Sequence, residues 1–373
     1  MAKILYLGSS ANSATSRYRA EALSRLGHQV VIADPYLVVE KQLQSPWLSA
    51  LHFRTGYRLL LSRVRVWLLD FLSNSQDFDL AWIDSGELID FNCLQLLANA
   101  RLLTILYNHD DPTGKRDGHR FDTLLKSLRF YDLCVGVRKE SINDFNSYGV
   151  NSAMAVWRSY DEVVHAPYSQ VSDIPQNLRS EVAFIGTWMR DEGRDIFLLD
   201  LVERGIPISI WGQRWEKSPV WEKLEKFHRG GNLSGRDYVG AIQGAKVCLG
   251  MLSKGNRDLH TTRSLEIPYA GGVLCAERTI EHMQLFTDEV EAVFWDDVDE
   301  CAELCRKLLD DDEWRESVRL AGWVKIRSLN VGNEDICEKI MNVVLSNDRY
   351  HKKAISLNTF HVAKFFQRIQ KNR

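Results

Sequence analysis

Short runs of consecutive apolar residues recur along the chain, and segments with a helical apolar period separate them. In the first half these runs predict five buried strands, at residues 4–7, 30–33, 80–83, 103–106 and 133–135. Between the first two strands, residues 16–26 predict a helix that Gly27 closes. Near-continuous apolar strands alternating with helices indicate a parallel sheet that helices cover on both faces.

The same pattern begins again in the second half. Four more apolar runs predict strands at residues 182–185, 208–211, 247–249 and 273–275. Helical periods follow at residues 301–309, 313–326 and 334–345, and the apolar pattern of residues 357–369 predicts an amphipathic tail. The polar segment 168–179, which contains Pro175, is typical of a linker. The chain therefore predicts two α/β domains, whose ligands bind at the carboxyl ends of the strands.

Composition narrows the function classes. The chain has 373 residues, 45% of them apolar, which is enough for two domain cores. A formal net charge of −3 gives no electrostatic case for a nucleic-acid partner. Seven cysteines without a CxxC pair argue against a disulfide framework or a zinc site. With no signal-peptide pattern and no membrane-spanning apolar run, we expect a soluble cytoplasmic protein.

One segment, DLHTTRSLEIPYAGGVLCAE at residues 258–277, concentrates the candidate chemistry. Asp258 and Glu266 flank a polar loop, and we expect a short helix that begins at Glu266 and stops at Gly271-Gly272. A helix N-terminus offers unpaired N–H groups and a positive dipole to a diphosphate. The alternative is an ordinary strand–helix unit with a glycine cap and surface acids.

The spacing of Asp258 and Glu266 resembles the donor-site signature of retaining GT-B glycosyltransferases, in which two glutamates are separated by seven residues. The run from Arg263 to Glu266, followed by Gly271-Gly272, looks more closely like the spore-coat maturation branch of GT-B glycosyltransferase-like proteins. Asp258 stands where the signature has a glutamate.

This resemblance implies an α/β GT-B fold, with two Rossmann-like domains whose parallel sheets face each other across an interdomain cleft. Residues 1–170 would form the acceptor-side domain and residues 171–335 the nucleotide-sugar donor domain. Residues 336–373 would form C-terminal helices that cross back to the first domain.

By the same resemblance, Glu266 would hold the ribose, and Asp258 with His260 would face the sugar. The loop and helix start that would meet the donor comprise Thr261, Thr262 and Arg263. After the strand at 182–185, the resemblance implies that Arg190 or Arg194 binds the diphosphate and that Thr187 donates its hydroxyl. The alternative is that these arginines lie in a solvated loop and bind no ligand. Gly212, after the next strand, would let the backbone approach a ligand closely.

In the first half, His109-Asp110-Asp111-Pro112 follows a strand directly. By resemblance, His109 and Asp110 would lie near the reacting carbon. If the reaction inverts configuration, His109, Asp110 or Asp111 would have to deprotonate the acceptor. Paired carboxylates also suit Mg²⁺, but we expect a metal-free site, because a helix N-terminus and basic side chains neutralise the diphosphate. The alternative is an Asx-turn that leads into Pro112.

Residues 53–67 combine an apolar stripe with Arg54, Arg58 and Arg65 on one edge of a helical wheel. A basic edge beside an apolar face suits peripheral contact with the inner face of a membrane, where a lipid-linked acceptor would lie. The alternative is a sheet-covering helix with snorkelling arginines.

The sequence therefore predicts a metal-independent, retaining glycosyltransferase without a tightly bound cofactor. Its co-substrate would be a UDP-, GDP- or dTDP-sugar, and its acceptor a glycan, a lipid-linked sugar, a protein or a small molecule. Alternatives are a catalytically inactive GT-B protein that binds sugars or partners, and a sugar-nucleotide epimerase. A dinucleotide oxidoreductase lacks support because Gly8-Ser9-Ser10 is not a GxGxxG loop. The oligomeric state has no sequence signal.

Overall fold

The computed structural model describes residues 1–75 and 77–346 and divides the chain into two compact units. The first unit comprises Met1–Trp157 together with residues 334–346, and the second comprises Arg158–Asn333. The amphipathic tail predicted at residues 357–369 lies outside the described residues.

The first unit is built on a six-stranded parallel sheet with the strand order β2-β1-β3-β4-β5-β6. Its strands are β1 (Lys3–Leu7), β2 (Gln29–Ala33), β3 (Leu80–Asp84), β4 (Leu103–Asn108), β5 (Leu133–Gly136) and β6 (Ala153–Ala155). The five predicted strands are confirmed. β6 was not predicted, because it has only three residues, of which Ala153 and Met154 are half-buried and Ala155 is exposed.

Helices cover both faces of this sheet. They are α1 (Thr15–Arg25), α2 (Pro35–Val38), α3 (Glu40–Leu43), α4 (Pro46–Arg54), α5 (Leu61–Asn74), α6 (Phe91–Asn99), α7 (Asp122–Ser127) and α8 (Lys139–Ser147). Successive β1 residues enter opposite cores: Leu5 packs with Val64 of α5, whereas Tyr6 packs with Leu23 of α1. This alternation follows from the two-residue period of a strand.

The basic amphipathic helix proposed over residues 53–67 is interrupted. α4 ends at Arg54, and Gly56 and Tyr57 then adopt left-handed backbone conformations before α5 begins at Leu61. A helical wheel drawn through this break combines positions that no single helix presents. Arg58 and Arg65 are moreover paired with Asp122 and Asp90, so the predicted basic edge is partly neutralised.

The second unit repeats the architecture with the strand order β12-β11-β10-β7-β8-β9, again all parallel. Its strands are β7 (Ser180–Ile185), β8 (Ile208–Trp211), β9 (His228–Gly230), β10 (Ala245–Gly250), β11 (Leu274–Glu277) and β12 (Val293–Trp295). The four strands predicted here are confirmed. β9 and β12 were not predicted, because each has only three residues.

The helices of the second unit are α9 (Arg194–Glu203), α10 (Trp221–Leu224), α11 (Gly235–Gln243), α12 (Thr262–Tyr269), α13 (Ile280–Leu285), α14 (Val298–Asp310) and α15 (Asp312–Ser328). α12 begins four residues before Glu266, so the predicted helix start was wrong. Thr261 supplies the N-cap there, because its side chain and that of Ser264 form a capping box. Glu266 consequently lies in the second helical turn.

The last described helix, α16 (Asn333–Leu345), returns to the first unit. Its residues Ile336 and Ile340 are buried in the same core as Tyr6 and Leu23. The segment 168–179, predicted as the linker, contains the buried residues Ile174 and Leu178 and belongs to the second unit. Because the segment is mostly polar, its two buried apolar residues were not recognised as part of a domain.

Within the described part of the chain, no helix combines the length and apolar character needed to cross a bilayer. All seven cysteines are buried, and none of them forms a disulfide bond.

Candidate functional site

The N-terminus of α12 presents positive charge without a protein counter-charge. Thr261 donates its backbone N–H to the Ser264 hydroxyl at 3.0 Å, and the capping box also occupies the N–H of Ser264. Among the described residues, the N–H groups of Thr262 and Arg263 have no hydrogen-bond partner. The half-buried guanidinium of Arg263 forms no hydrogen bond or ion pair there either, and its Nε is buried. A cation and two free amides at a helix N-terminus favour an anionic ligand.

Glu266 lies one turn further along the same helix and is 7% exposed. Its Oε2 accepts the hydroxyl of Tyr238 at 2.6 Å, and its Oε1 lies 3.6 Å from Nε2 of His165. Nδ1 of His165 accepts the backbone N–H of Asp161 at 2.9 Å, which leaves the ring proton on Nε2, facing Glu266. Burial and the charge of Glu266 raise the pKa of Tyr238, so its hydroxyl remains a donor.

Asp258 and His260 are both buried in an ionic network. Oδ1 of Asp258 accepts Nη2 of Arg158 at 2.9 Å. His260 accepts the backbone N–H of Arg158 at Nε2, 3.3 Å away, and donates from Nδ1 to Glu281 at 2.6 Å. Both ring nitrogens of His260 are therefore occupied, and burial lowers its pKa. The network fastens the start of the second unit to the loop ahead of α12.

A second histidine, His282, forms a hydrogen bond with the capping box of α12. His282 donates from Nδ1 to the carbonyl oxygen of Glu277 at 2.6 Å, so its Nε2 accepts the Ser264 hydroxyl at 2.8 Å. Burial lowers the pKa of His282 to about 4, which keeps the ring neutral and able to accept. The chain of bonds from Glu277 to Thr261 holds the capping box of α12 in one conformation.

The loop after β7 lies beside the loop after β10, because β7 and β10 are neighbouring strands. Arg194 donates to the carbonyl oxygens of Thr187, at 3.3 Å, and Leu252, at 2.9 Å, and so ties the two loops together. Arg190 is exposed and has no ion pair or hydrogen bond to the described chain. Of the two arginines predicted to meet a diphosphate, Arg194 therefore already has carbonyl partners.

The backbone packing at Gly212 by itself requires a glycine. Its φ is +147°, and a Cβ at this position would lie 2.1 Å from the carbonyl oxygen of Gly186. Two backbone segments therefore approach each other closely at the ends of β7 and β8, and the approach of a ligand to Gly212 stays a prediction.

In the first unit, His109 and Asp110 follow β4 at the carboxyl edge of the sheet. Nδ1 of His109 lies 3.7 Å from Oδ1 of Asp84, and its Nε2 lies 3.9 Å from Asp110. Asp84 is already paired with Arg19 at 3.1 Å and accepts the Tyr6 hydroxyl at 2.7 Å. His109 is 35% exposed, whereas Asp84 is buried.

The adjacent carboxylates Asp110 and Asp111 have different partners. Asp110 lies 3.2 Å from Arg120, and Asp111 accepts the hydroxyl of Ser141 at 3.1 Å.

Sequence reasoning missed the groups that complete these networks. They are Arg158, His165, Tyr238, Glu281 and His282. Arg158 and Asp258 are 100 positions apart, and no local pattern links such distant residues. The predicted donor-side residues all belong to the second unit, whereas His109 and Asp110 belong to the first.

Comparison with known proteins was made at three levels. Residues 193–331 match a family model described as glycosyl transferase-like. This range contains α12 and its N-terminal loop. No curated protein sequence matches the chain.

Solved structures resemble nearly the whole chain. HepE of Anabaena, in complex with UDP-glucose, aligns with a TM-score of 0.67 and 12% identity, over 93% of this chain and 100% of HepE. Sucrose-phosphate synthase of Thermosynechococcus elongatus aligns with a TM-score of 0.66 and 11% identity, over 92% of this chain and 98% of the synthase. A putative UDP-N-acetylglucosamine 2-epimerase of Listeria monocytogenes aligns with a TM-score of 0.58 and 12% identity, over 92% of this chain and 96% of the epimerase. The GT-B fold predicted from the sequence is confirmed.

Proposed function

We propose that this protein is a glycosyltransferase that takes its sugar from a UDP-sugar bound by the second unit. One observation carries the proposal: among the described residues, Arg263 and two backbone amides at the N-terminus of α12 have no hydrogen-bond or ion-pair partner. A nucleoside diphosphate supplies the missing negative charge. The match of residues 193–331 to the glycosyl transferase-like model, and the UDP-glucose complex of HepE, favour this ligand.

In this proposal Glu266 accepts the ribose hydroxyls, and Tyr238 holds its carboxylate in place. Arg263 and the helix N-terminus stabilise the departing UDP electrostatically, the kind of effect that often dominates catalysis. Transfer would then need no divalent cation, and activity should persist in EDTA.

His109 and Asp110 of the first unit are proposed to contact the acceptor hydroxyl. On the spacing of Asp258 and Glu266 we propose retention of configuration, which NMR of the product anomer would test.

The direct test is UDP binding by titration calorimetry to the full chain and to Arg263→Gln. Loss of charge-assisted hydrogen bonds of about 1.5–3 kcal/mol should weaken UDP binding roughly 10- to 100-fold. Uridine, which has no phosphate, should bind both proteins equally. Arg306→Gln, a matched change at an exposed position on α14, should leave UDP binding unchanged. Equal UDP affinity for Arg263→Gln and the unaltered chain would refute this assignment.

Two observations support other functions. Asp258 is committed to a buried ion pair with Arg158, which favours a GT-B protein that binds sugar nucleotides without transferring them. The epimerase of Listeria monocytogenes shares the fold. An epimerase converts its nucleotide sugar with no acceptor, a transferase releases UDP only slowly without one, and a binding protein does neither. Chromatography of UDP-sugars after incubation separates the three.

A further inference from the structure

Three buried cysteines lie together in the second unit, and we call them the thiol cluster: Cys275, Cys301 and Cys305. Cys275 belongs to β11, and the other two belong to α14, which packs against that strand. Cys301 and Cys305 are four positions apart, so they share one face of the helix. All three are 0% exposed and belong to one apolar core. Their sulfur atoms lie within 4.8 Å of one another.

The thiol cluster differs from other buried cysteines of the chain in its hydrogen bonding. The thiols of Cys134 and Cys248 donate to the carbonyl oxygens of Leu128 and Ile242, at 3.6 and 3.3 Å. Among the described residues, no oxygen atom accepts a hydrogen bond from the three sulfurs of the thiol cluster. These sulfurs therefore have one another as their nearest polar neighbours, in a core without exposed surface.

The triangle of sulfur atoms has the dimensions of a site for one soft metal ion. A point between them lies no more than about 2.8 Å from each sulfur, and a metal–thiolate bond is about 2.3 Å long. Small side-chain rotations would close the difference. Thiolates select soft ions, among them Cu(I) and Zn²⁺. Structural Zn²⁺ almost always takes four ligands, and the described part of the chain adds no fourth acid, histidine or cysteine to this group.

We propose that the thiol cluster is a structural site for Cu(I), which its three sulfur atoms hold in the core of the second unit. The inference is independent of the proposed glycosyltransferase function. Binding forms three Cu–S bonds and releases thiol protons to the solvent, with no change of oxidation state. The ion would join β11 to α14 and so stabilise the second unit. Because the cluster is fully buried, the ion enters while the chain folds or opens locally.

The test is an anaerobic titration of the full chain with Cu(I) against a competing copper chelator, on the folded chain and during refolding from urea. We expect one Cu(I) per chain and an X-ray absorption spectrum with three sulfur neighbours at about 2.3 Å. At about 100 times its Kd, Cu(I) should raise Tm by about 5–10 °C. Zn²⁺ should raise it less, because it lacks a fourth ligand. Absence of a bound ion after both procedures would overturn the proposal.

Substitutions locate the ion. Cys301→Ala and Cys305→Ala should each weaken Cu(I) binding about 100-fold and remove most of the shift in Tm, because only two sulfur ligands remain. Cys248→Ala, a matched change at a buried cysteine of the neighbouring strand β10, should leave both unchanged.

A second variant, Cys305→Ser, keeps the size of the side chain but offers Cu(I) a hard oxygen ligand, so it should bind as weakly as Cys305→Ala. Circular dichroism without metal shows whether each variant is folded. Equal Cu(I) affinity of the folded Cys305 variants and the unaltered chain would overturn the assignment, as would loss of binding in Cys248→Ala alone.

Discussion

The carboxyl edges of the two sheets differ in how their charged groups are paired. In the second unit, the guanidinium of Arg263 and the N–H groups of Thr262 and Arg263 have no hydrogen-bond partner among the described residues. In the first unit, Asp84 pairs with Arg19, and Glu87 and Asp110 both pair with Arg120. Two copies of one architecture therefore differ in their electrostatics, and the fold itself does not determine which ligand each sheet binds.

The second difference concerns rigidity. Asp258, His260 and His282 brace the start of α12 through buried bonds to Arg158, Glu281 and Glu277. In the first unit, the ring nitrogens of His109 lie 3.7 Å from Asp84 and 3.9 Å from Asp110, which is too long for hydrogen bonds. The start of α12 is thus held in place by its own protein partners. Loss of these bonds should lower the stability of the second unit, whereas changes at Glu266 should affect ligand binding alone.

Asp258→Ala should destabilise the second unit by about 3–5 kcal/mol, because it leaves the guanidinium of Arg158 buried without a counter-charge. Thermal or urea unfolding of the full chain would measure the loss. Replacing Asp258 with Leu and Arg158 with Met together removes both charges and should recover most of the stability. If Asp258→Ala instead leaves stability intact and abolishes UDP-sugar binding alone, Asp258 faces the sugar and the brace does not exist.

The His282 brace should weaken in acid. The pKa of His282 in the folded state, about 4, lies below the ordinary 6.5. Between these two pH values the unfolded chain therefore binds a proton at His282 and the folded chain does not. This contribution to stability is present above pH 6.5 and is lost as the pH falls towards 4. The full difference is about 3 kcal/mol. In His282→Asn this part of the pH dependence should disappear from denaturation curves recorded between pH 7 and 4. An unchanged pH profile would show that other groups govern acid sensitivity.

Glu266→Gln should weaken UDP binding by about 1–2 kcal/mol, since a neutral amide accepts ribose hydroxyls less strongly than a carboxylate. The hydroxyl of Tyr238 can still donate to the glutamine oxygen, so the fold should be kept. The affinity for 2′-deoxy-UDP should fall less, because it lacks one of the hydroxyls concerned. An equal loss for both nucleotides in calorimetry would place Glu266 away from the ribose.

Sequence patterns identified most of the fold, because nearly every buried strand is a continuous apolar run. They missed β6, β9 and β12, because each has only three residues and is defined by its hydrogen bonds to a neighbouring strand. The start of α12 was placed too late, because Thr261 is an N-cap whose partner Ser264 is not the usual acid. The prediction included Arg263 and Glu266 but not Tyr238, which reaches Glu266 across 28 positions. Pairings of this kind depend on tertiary contacts that local periodicity does not contain.

The return of α16 to the first unit sets the order in which the nascent chain can finish folding. Ile336, Ile340 and Val344 cover the sheet face that carries Tyr6 and Trp82. These residues leave the ribosome only after the whole of Arg158–Asn333 has been synthesised. The second unit, which is continuous in sequence, can therefore close first, although synthesis begins with the other unit. Until then α1 alone covers the part of this face that it contacts, and truncation before residue 336 would expose the apolar part that α16 covers.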